Sequence, residues 1–542
     1  MIITKFGCKI FIHQRFGLLL LIGLLSCDID IQKSGYRWYP YLEWEISNIT
    51  YRGNPFDLDA SVKFTHSESG KEIVTSMFYA DMDTWKFRFT GTLTGKWTYI
   101  TSSEDEELDK ITGEVIIKPN PDNDAHGFMT HFGNKWGWQG TESVFVPQYV
   151  MGKRMHYYFD MQNGSIDEER INNEIREFCD EHGFTGFHLC LDASWFSLTE
   201  EKPCINPDPR TFKVLETIIT KVHAQGGACH IWMWGSDGHR NSKNGDGPRG
   251  LIGEPMNEID KRMLNYVAAR LGPLPGWSMG YGFDTENGVA TLEQLNQWKS
   301  FLEENMGWDH MLGSRVGYDE KGLWAVSPRP PKPPHDEYFR SPIADEYTFW
   351  LGGDYIGYTS YRPLYDRYRE VLKHHPDKPS FEEDRFRLRD SDKWSYKDYN
   401  QELTIRGLWH SAMAGGVANI WGNLLPTDIA EGSRPYNIDT INIKDQIRTY
   451  ASFINPRFKK DMHPEKRGEI MVLQTSDGKK ILLLHENTRE VNYDIVSHDE
   501  SLPAIAINTK GEYQEINIGD IQGELKWTEP YKSDWAIAIG EF

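Results

Sequence analysis

Hydrophobic and polar residues alternate with a period of two near each end of the chain. Between residues 36 and 120 the alternation appears in stretches such as TWKFRFTG and GKWTYITS, and turn-forming residues recur at short intervals. This pattern is typical of the half-buried strands of a β-sandwich. After residue 455 the alternation returns in KKILLLHEN and WAIAIGEF. The sequence therefore predicts an N-terminal β-sandwich at 28–125 and a C-terminal β-sandwich at 456–542.

The middle of the chain, 126–455, alternates instead between short apolar runs and amphipathic stretches. RMHYYFDM, FTGFHLCLD and ACHIWMWGS are predicted as strands, and RTFKVLETIITKVHAQGG as a helix that stops at glycine. Further along, a helix over 341–351 is predicted to precede a strand at 354–359. Strands that alternate with helices indicate parallel βαβ units, and about eight such units predict a (β/α)8 TIM barrel. The expected fold is thus multidomain, a TIM barrel flanked by two β-sandwiches.

A basic segment followed by an apolar one opens the chain. The apolar run FGLLLLIGLLS (16–26) is too short to span a bilayer and is typical of a signal peptide. Its ending, LLSC, resembles a bacterial lipobox, in which Cys27 would be lipidated; ordinary signal cleavage is the alternative. We therefore expect residues 1–27 to direct export and the protein to be an anchored lipoprotein of the bacterial outer membrane or periplasm. Contact with the membrane would be through the lipid anchor only.

Composition narrows the range of partners. The formal net charge of −21 argues against a nucleic-acid partner, which would require a basic surface. The 19 tryptophans offer flat faces suited to stacking on sugar rings, although most tryptophans pack in protein cores. The sequence contains no CxxC or Cys/His metal spacing, no phosphate-binding glycine loop and no dinucleotide fingerprint. We therefore expect no metal and no cofactor.

Carboxylates follow the predicted fourth and seventh strands of the barrel. The stretch WSMGYGFDTENGV contains Glu286 just after the fourth strand, and FEEDR contains Glu383 at the end of the seventh. Barrel active sites lie at the carboxyl ends of the strands, where strands four and seven are roughly opposite. Glycoside hydrolysis needs one protonated and one ionised carboxyl group, about 5–5.5 Å apart in retaining enzymes. Glu286 and Glu383 are the natural pair, although a helix-capping acid and a solvated charge run would explain them structurally.

Motifs outside the predicted barrel resemble a known family. The stretches NPF, FYADMDTWKFRF and GKWTY, together with the terminal PYKSDWAIAIG, resemble bacterial apiosidase-like candidate glycoside hydrolases. Members of that family join an N-terminal β-sandwich to a cellulase-type barrel and a small, collagen-binding-like C-terminal β-sandwich. The resemblance covers most of the mature chain and is strongest in its non-catalytic parts. It implies an enzyme that acts on plant or algal polysaccharides or their oligosaccharides.

The wider clan of retaining barrel enzymes supplies roles for the carboxylates. Its acid/base glutamate follows the fourth strand, commonly as Asn-Glu, and its nucleophile follows the seventh. The resemblance thus implies that Glu286 is the acid/base and Glu383 the nucleophile. Thr285 stands where asparagine is usual, which leaves Asp284 as an alternate. Glu382 is the alternate to Glu383, because a register slip of one residue exchanges the two faces of a strand.

Other residues at the strand ends are candidates for contact with substrate. Arg385 would keep the nucleophile ionised by charge pairing, or would only solvate the Glu/Asp run. Tyr361 or Tyr358 would donate a hydrogen bond to the nucleophile, with core packing as the alternative for Tyr358. Trp421 would form a sugar platform, with core packing as the alternative. Arg315, among other basic loop residues, would bind an acidic glycan, unless it serves only solubility. The candidates for holding sugar hydroxyl groups are His188, Asp192, Trp234 and His239.

Three functions compete at this point. The first is an exported retaining glycosidase with a poly- or oligosaccharide substrate. The alternative is a non-catalytic, glycan-binding surface lipoprotein. A third, a metal-dependent hydrolase, would use four ligands that lack the compact spacing of a ligand set; these are His188, Asp192, His230 and His239.

Overall fold

The computed structural model describes residues 33–199, 205–234, 255–282, 292–313, 347–349, 365–366, 368–369, 372–373, 376–382, 401–422, 443–495 and 500–542. Within these residues the chain forms three bodies of β-structure, each with its own hydrophobic core. The middle body contains the helices and a parallel sheet, and the other two are antiparallel or nearly so.

The N-terminal body consists of two sheets that share one core. A five-stranded sheet has the order β1-β8-β7-β3-β4, and a three-stranded sheet has the order β2-β6-β5. Phe64 and Trp97 of the larger sheet pack with Trp85 and Phe87 of the smaller one, as the period-two alternation requires. The strands are β1 (Lys33–Tyr36), β2 (Leu42–Ser47), β3 (Ala60–His66), β4 (Glu72–Ser76), β5 (Phe78–Asp81), β6 (Thr84–Phe89), β7 (Gly95–Ser103) and β8 (Thr112–Lys118).

The middle body is built on an eight-stranded sheet in which every neighbouring pair is parallel. Its order is β17-β16-β15-β14-β11-β20-β19-β18, so the first strand pairs with the eighth. Its strands are β11 (Gln148–Met151), β14 (Gly186–Cys190), β15 (Ala228–Trp234), β16 (Trp277–Gly282), β17 (Met311–Gly313), β18 (Tyr347–Phe349), β19 (Ser380–Glu382) and β20 (Ala418–Trp421). Two hairpins accompany it, β9–β10 (Met129–Phe132, Lys135–Trp138) and β12–β13 (Phe159–Asp160, Ser165–Ile166).

Helices connect several of these strands, and side chains cap the first turns of α2 and α3. The Asp208 side chain accepts from the Arg210 amide at the start of α2, and Asn257 and Asp260 form a capping box in α3. No helix among the described residues is both long enough and apolar enough to cross a bilayer. The helices are α1 (Glu168–Ile175), α2 (Pro209–His223), α3 (Glu258–Leu271), α4 (Leu292–Met306), α5 (Gln401–Met413) and α6 (Lys444–Ile454).

Two apolar clusters distinguish the faces of the parallel sheet. Tyr149, Trp232 and Phe381, from β11, β15 and β19, pack together with Trp136 of β10. The alternate residues, such as Val150, pack with the helices. We call the first face the inner face and the second the outer face. Because side chains from distant strands meet on the inner face, the sheet is curled, which is consistent with a TIM-like barrel.

Two predicted elements of the middle body differ from the structure. RMHYYFDM was expected to be its first strand, but that strand is β11, and Met155–Tyr158 form a 3-10 turn instead. The predicted helix over 341–351 is also wrong, because Tyr347–Phe349 form β18 and pair with β19. In both cases the local pattern was compatible with more than one conformation, and pairing with a strand distant in sequence determined the outcome.

The C-terminal body is one continuous six-stranded antiparallel sheet, where two facing sheets were expected. The long strands β23 and β26 shift register between His485 and Glu490, and the sheet encloses its own core. Arg406 of α5 donates to both carboxylate oxygens of Asp534 at 2.7 and 2.9 Å, which fixes this sheet to the middle body. Its strands are β21 (His463–Arg467), β22 (Ile470–Gln474), β23 (Ile481–Asp494), β24 (Leu502–Asn508), β25 (Ile516–Ile521) and β26 (Glu524–Ile539).

Candidate active site

Aromatic rings form a floor on the inner face of the parallel sheet. The His230 ring of β15 stacks on Phe381 of β19 at a centroid distance of 4.2 Å, and it lies 6.2 Å from Tyr149 of β11. Trp232 meets His188 of β14 edge-on at 3.9 Å. Four strands are thus joined by direct ring contacts. We call these five residues the aromatic floor.

Gly280 of β16 lies beside the aromatic floor, where its lack of a side chain leaves room for the rings. A Cβ atom at this position would lie 3.3 Å from Trp232 Cδ1 and 3.4 Å from His230 Cε1. The first contact is tighter than an ordinary van der Waals distance, so a side chain here would require the Trp232 ring to shift by a few tenths of an ångström. Glycine in the strand therefore allows the rings to approach the neighbouring backbone.

Within the floor, His188 and His230 form a direct hydrogen-bonded pair. They are register partners on β14 and β15, and their Nδ1 atoms are 2.8 Å apart. Such a bond needs one donor and one acceptor, so only one of the two rings carries a proton on Nδ1. Burial lowers the pKa of His230 to about 3, which keeps that ring neutral at physiological pH. Neither ring is exposed. His188 therefore belongs to the floor and presents no surface to a sugar hydroxyl in this structure.

Asp192 and Trp234 lie at the carboxyl ends of their strands. Asp192 follows β14, is buried, and has a φ of 44°, in the left-handed region that few residues other than glycine adopt. It is the first residue of a 3-10 turn, Asp192–Trp195, that redirects the chain away from the sheet. Trp234 is the last residue of β15 and stacks on Phe196 at 6.2 Å. Their contact with substrate stays a prediction.

The structure places Glu382 on the outer face of β19. Its side chain is fully buried and accepts a hydrogen bond from the Tyr368 hydroxyl, which is also 3.3 Å from Oδ1 of Asn419. Asn419 is the register partner of Glu382 on β20, so both side chains lie on the same face. Phe381, one residue earlier, points to the inner face. This position argues against Glu382 as the nucleophile, because its carboxylate is enclosed between the sheet and the helical layer.

Trp421 does not form a sugar platform in this structure. Its side chain is fully buried on the outer face, packs edge-on against Phe184 at 5.6 Å, and donates from Nε1 to Gln148 Oε1 at 3.2 Å. The prediction for Trp421 is therefore corrected to its alternative, core packing. The inner-face positions of β20 are occupied by Ala418 and Ile420 instead.

The other predicted site residues lie outside the described residues. They include both proposed catalytic glutamates and the lipidation site. These residues are Cys27, His239, Asp284, Glu286, Arg315, Tyr358, Tyr361, Glu383 and Arg385.

Sequence reasoning named His188, His230 and Trp232 as strand-end or ligand candidates, but it missed Tyr149 and Phe381 and did not foresee that the two histidines bond to each other. GFHLC and ACHIW each carry a histidine in the middle of consecutive predicted strands, and these are the paired residues His188 and His230. Tyr149 was missed because β11 was assigned to the wrong segment. Phe381 carries no chemical signal of its own, since a phenylalanine in a strand is usual.

A metal-dependent hydrolase needs about three protein ligands close together, a condition that can be checked only for the described residues. Among them, no group of three or more His, Cys, Asp or Glu side chains is arranged to hold a metal ion. Of the four ligands considered for it, His188 and His230 bond to each other through Nδ1. His239 lies outside the described residues.

Comparison with known proteins bears mainly on the fold. Residues 36–104, within the N-terminal body, match the family model DUF5060, a domain of unknown function. No curated protein matches the chain. The family match covers a small part of the chain and carries no activity.

Solved structures of similar fold cover 77% to 94% of the chain. A candidate glycoside hydrolase from Bacteroides vulgatus ATCC 8482 is 13% identical, with a TM-score of 0.67 over 94% of this chain and 100% of its own. A family 5 glycoside hydrolase from the same organism is 12% identical, with a TM-score of 0.54 over 77% and 94%. A further glycoside hydrolase is 13% identical, with a TM-score of 0.54 over 77% and 98%. At these identities the likeness shows a shared fold.

Proposed function

We propose that this chain is an exported glycoside hydrolase that cleaves glycosidic bonds in plant or algal polysaccharides or their oligosaccharides with retention of configuration. Glu383 is the proposed nucleophile and Glu286 the proposed acid/base. The glycoside hydrolase folds of similar structures support this class of activity. The apiosidase-like resemblance of the terminal bodies is part of the same proposal.

We further infer that the parallel sheet closes into a (β/α)8 barrel. The order β17-β16-β15-β14-β11-β20-β19-β18 is that of eight consecutive barrel strands opened at one seam, between the fifth and the sixth. Pairing of β17 with β18 would close that seam. The meeting of β11, β15, β17, β19 and β20 side chains in one inner cluster supports closure, because only a curled sheet brings them together.

The observation that carries the proposal is the alternation of faces on β19. Phe381 points to the inner face and Glu382 to the outer face. Because successive side chains of a strand point to opposite faces, the next residue, Glu383, is expected on the inner face at the carboxyl end. It would then follow directly above the aromatic floor. This argument separates Glu383 from its neighbour, which the sequence alone could not do.

The same argument applies to β16. Gly280 and Gly282 are register partners of Trp232 and Trp234, and Gly280 contacts the inner aromatic rings. If the alternation continued, even-numbered positions after Gly282 would also lie on the inner side. This alternation favours both Asp284 and Glu286 as groups near the site. Glu286 keeps the proposed acid/base role because it has the longer side chain and follows the strand at a greater distance.

The proposed reaction has two displacements. The Glu383 carboxylate attacks the anomeric carbon while Glu286 donates a proton to the leaving glycosidic oxygen, which gives a covalent glycosyl-enzyme and a free alcohol. Glu286 then takes a proton from a water molecule, which attacks the same carbon and releases the sugar and Glu383. Two inversions restore the original configuration. Arg385 and Tyr361 are proposed to keep the nucleophile ionised, while Asp192, Trp234 and His239 bind sugar hydroxyls and Arg315 an acidic substituent.

The adjacent glutamates provide a matched test. A panel of plant and algal oligosaccharides is incubated with the wild type, Glu383→Gln and Glu382→Gln, and the anomer of fresh product is followed by NMR. We expect retention in the wild type, a loss of about 10³-fold or more in kcat for Glu383→Gln, and measurable activity in folded Glu382→Gln. Melting temperatures of both variants separate loss of fold from loss of chemistry.

Azide rescue identifies the nucleophile by a gain of product, which misfolding of a variant cannot produce. In Glu383→Gly, azide would attack the anomeric carbon in a single displacement and yield a glycosyl azide of inverted configuration from an activated substrate. Glu382→Gly offers no such vacancy at the site and is expected to give no azide product. Azide rescue of Glu382→Gly in place of Glu383→Gly would contradict the assignment. If no panel member is cleaved but a glycan binds the wild type and Glu383→Gln alike, the glycan-binding lipoprotein is the better description.

Export and lipidation are tested separately from catalysis. Metabolic labelling with a radioactive fatty acid in a bacterial host is expected to label the wild type and not Cys27→Ser. Soluble release of Cys27→Ser into the periplasm or medium would accompany the loss of label. Equal labelling of the two proteins would rule out Cys27 as the lipidation site.

A further inference from the structure

A cavity away from the aromatic floor lies where the three-stranded sheet of the N-terminal body meets α2 and α3. It has a volume of about 520 Å³. Its walls include Tyr41, Arg88, Thr220 and Arg270. Both its volume and its position between two bodies are typical of small-molecule sites, which run from about 300 to 1,000 Å³ and favour domain interfaces.

The deep wall of this cavity is an ion-pair network that needs no ligand. Glu216 of α2 accepts from Arg270 Nε at 2.6 Å and Nη2 at 2.8 Å, and from Arg88 Nη2 at 3.1 Å. Arg88 also donates from Nε to Glu43 at 2.8 Å and from Nη1 to the Arg270 carbonyl at 3.0 Å. All three network side chains are at least nine-tenths buried. The wall is therefore preorganised, and its charges are matched within the protein.

The rim of the cavity is also balanced in charge. Each lysine that lines it lies near a carboxylate. Lys86 shares Glu43 with Arg88 of the deep wall and also pairs with Glu45 at 2.6 Å, so the five cations of wall and rim face five carboxylates. A strongly charged ligand would have to displace one of these pairs, whereas a neutral ligand with many hydroxyl groups finds donors and acceptors side by side. The pairs are Lys86–Glu43 at 2.8 Å, Lys213–Asp81 at 3.9 Å and Lys221–Glu168 at 3.1 Å.

Tyr41 adds an aromatic surface to this polar lining. The Arg88 guanidinium covers its ring at 4.0 Å and holds it in place, and the side chain remains half-buried at the cavity wall. Burial raises the pKa of the Tyr41 hydroxyl, so the group is neutral and able both to donate and to accept. Thr220 presents another hydroxyl-bearing side chain on the facing helix, and Thr217 Oγ1, which donates to the Lys213 carbonyl at 2.8 Å, remains an acceptor.

We propose that this interdomain cavity binds a short neutral oligosaccharide, as a second glycan site apart from the parallel-sheet site. The choice of a sugar as ligand rests on the proposed glycosidase function. The matched charges, the aromatic ring and the hydroxyl side chains all favour a neutral polyhydroxyl ligand over an anion or a purely apolar molecule. Such a site would hold the enzyme on its polymeric substrate while the parallel-sheet site acts on a neighbouring segment.

The test is to count the oligosaccharide-binding sites on the Glu383→Gln variant, which is expected to bind its ligand without hydrolysing it. Cello-, xylo-, manno- and laminari-oligosaccharides are titrated into full-length Glu383→Gln by calorimetry, with oligogalacturonate as the charged comparison. Thr220→Trp, which fills the cavity from α2, is added to the same background, and Thr528→Trp on the exposed surface of β26 is the matched control. Tyr41→Phe, which keeps the ring and removes the hydroxyl, serves as a milder second variant.

We expect two binding sites for one neutral oligosaccharide, of which Thr220→Trp removes one and Tyr41→Phe weakens one severalfold. Thr528→Trp should leave both unchanged. With otherwise wild-type sequence, Thr220→Trp should keep kcat on a short substrate and raise KM on the polymer. A single site that all the cavity variants leave intact would overturn the inference, even if the wild type hydrolyses glycans. Binding that is sensitive to Thr220→Trp in a protein that hydrolyses nothing would uphold the cavity site and refute the glycosidase.

Discussion

Replacement of Glu216 by glutamine tests whether the N-terminal and middle bodies are held together by a buried ion-pair network. The wild-type carboxylate accepts from Arg270 at 2.6 and 2.8 Å and from Arg88 at 3.1 Å. Glutamine keeps the shape but offers one acceptor atom, and its amide nitrogen faces two guanidinium groups. Each hydrogen bond to a charged group makes a net contribution of about 1.5–3 kcal/mol to stability.

These contributions do not simply add, because Arg88 also keeps its bond to Glu43. Removal of one partner from a buried pair leaves the other charge uncompensated and costs about 3–5 kcal/mol. We expect Glu216→Gln to lose free energy of unfolding in that range. For a cooperative unit of about 150–250 residues, this loss of free energy corresponds to a fall of about 6–20 °C in melting temperature.

Calorimetry at neutral pH measures this effect, and Glu168→Gln is the matched control. Glu168 pairs with Lys221 on the same side of the cavity, but 64% of its side chain is exposed. Exposed pairs contribute little, so the control should melt close to the wild type. Because the chain has several cores, the informative quantity is the shift of the first transition. Equal melting of Glu216→Gln and Glu168→Gln would refute the reasoning.

Acid should erase the difference between the wild type and Glu216→Gln. Burial raises the pKa of Glu216, but the charges and hydrogen bonds of Arg270 and Arg88 outweigh it and leave the pKa below its ordinary value of about 4.3. Near that pH the unfolded chain binds more protons than the folded one, so this contribution is complete above the unfolded pKa. It is lost as pH falls through the folded pKa. A stability gap that widens in acid would contradict the network.

Three further outcomes follow from other contacts. Trp421→Phe should lower the free energy of unfolding by about 1–3 kcal/mol, measured by denaturant titration, without changing KM, because Trp421 packs on the outer face and bonds to Gln148. Asp534→Asn should destabilise the contact of the C-terminal sheet with α5 by about 3–5 kcal/mol, seen as earlier proteolysis of that sheet, because Arg406 loses a buried bidentate partner. The His230 ring signals in NMR should stay constant between pH 5 and 8, since burial lowers its pKa to about 3; a titration near pH 6.5 would contradict its place in the floor.

The sequence predicted those elements whose local pattern was unambiguous. β14, β15 and β16 lie within the predicted apolar runs, and α2 ends near the predicted glycine stop. In these segments the apolar run is long enough for its hydrophobic period and its amino-acid composition to indicate the same kind of element. β18 was missed because YTF occupies three residues and its hydrogen bonds come from β19, which is distant in sequence.

The candidate site was accessible to sequence reasoning only in part. The choice of strand ends came from the barrel pattern, but the choice between Glu382 and Glu383 depended on the face that each occupies. That face became apparent from the contact of Glu382 with Tyr368 and from the ring stack of Phe381 on His230. Neither contact has a signature in the sequence.

By itself the sequence determined that period-two strands flank a middle region of alternating strands and helices, because alternation of apolar and polar residues reflects local geometry. Only the tertiary structure decided which side chains meet. The pairing of His188 with His230, the burial of Trp421 and the network around Glu216 each join residues from different elements. The physical reason is that burial and hydrogen bonding depend on residues that are distant in sequence and close in the folded chain. A pattern along the sequence indicates which face of a helix or strand is buried, but not which element packs against it.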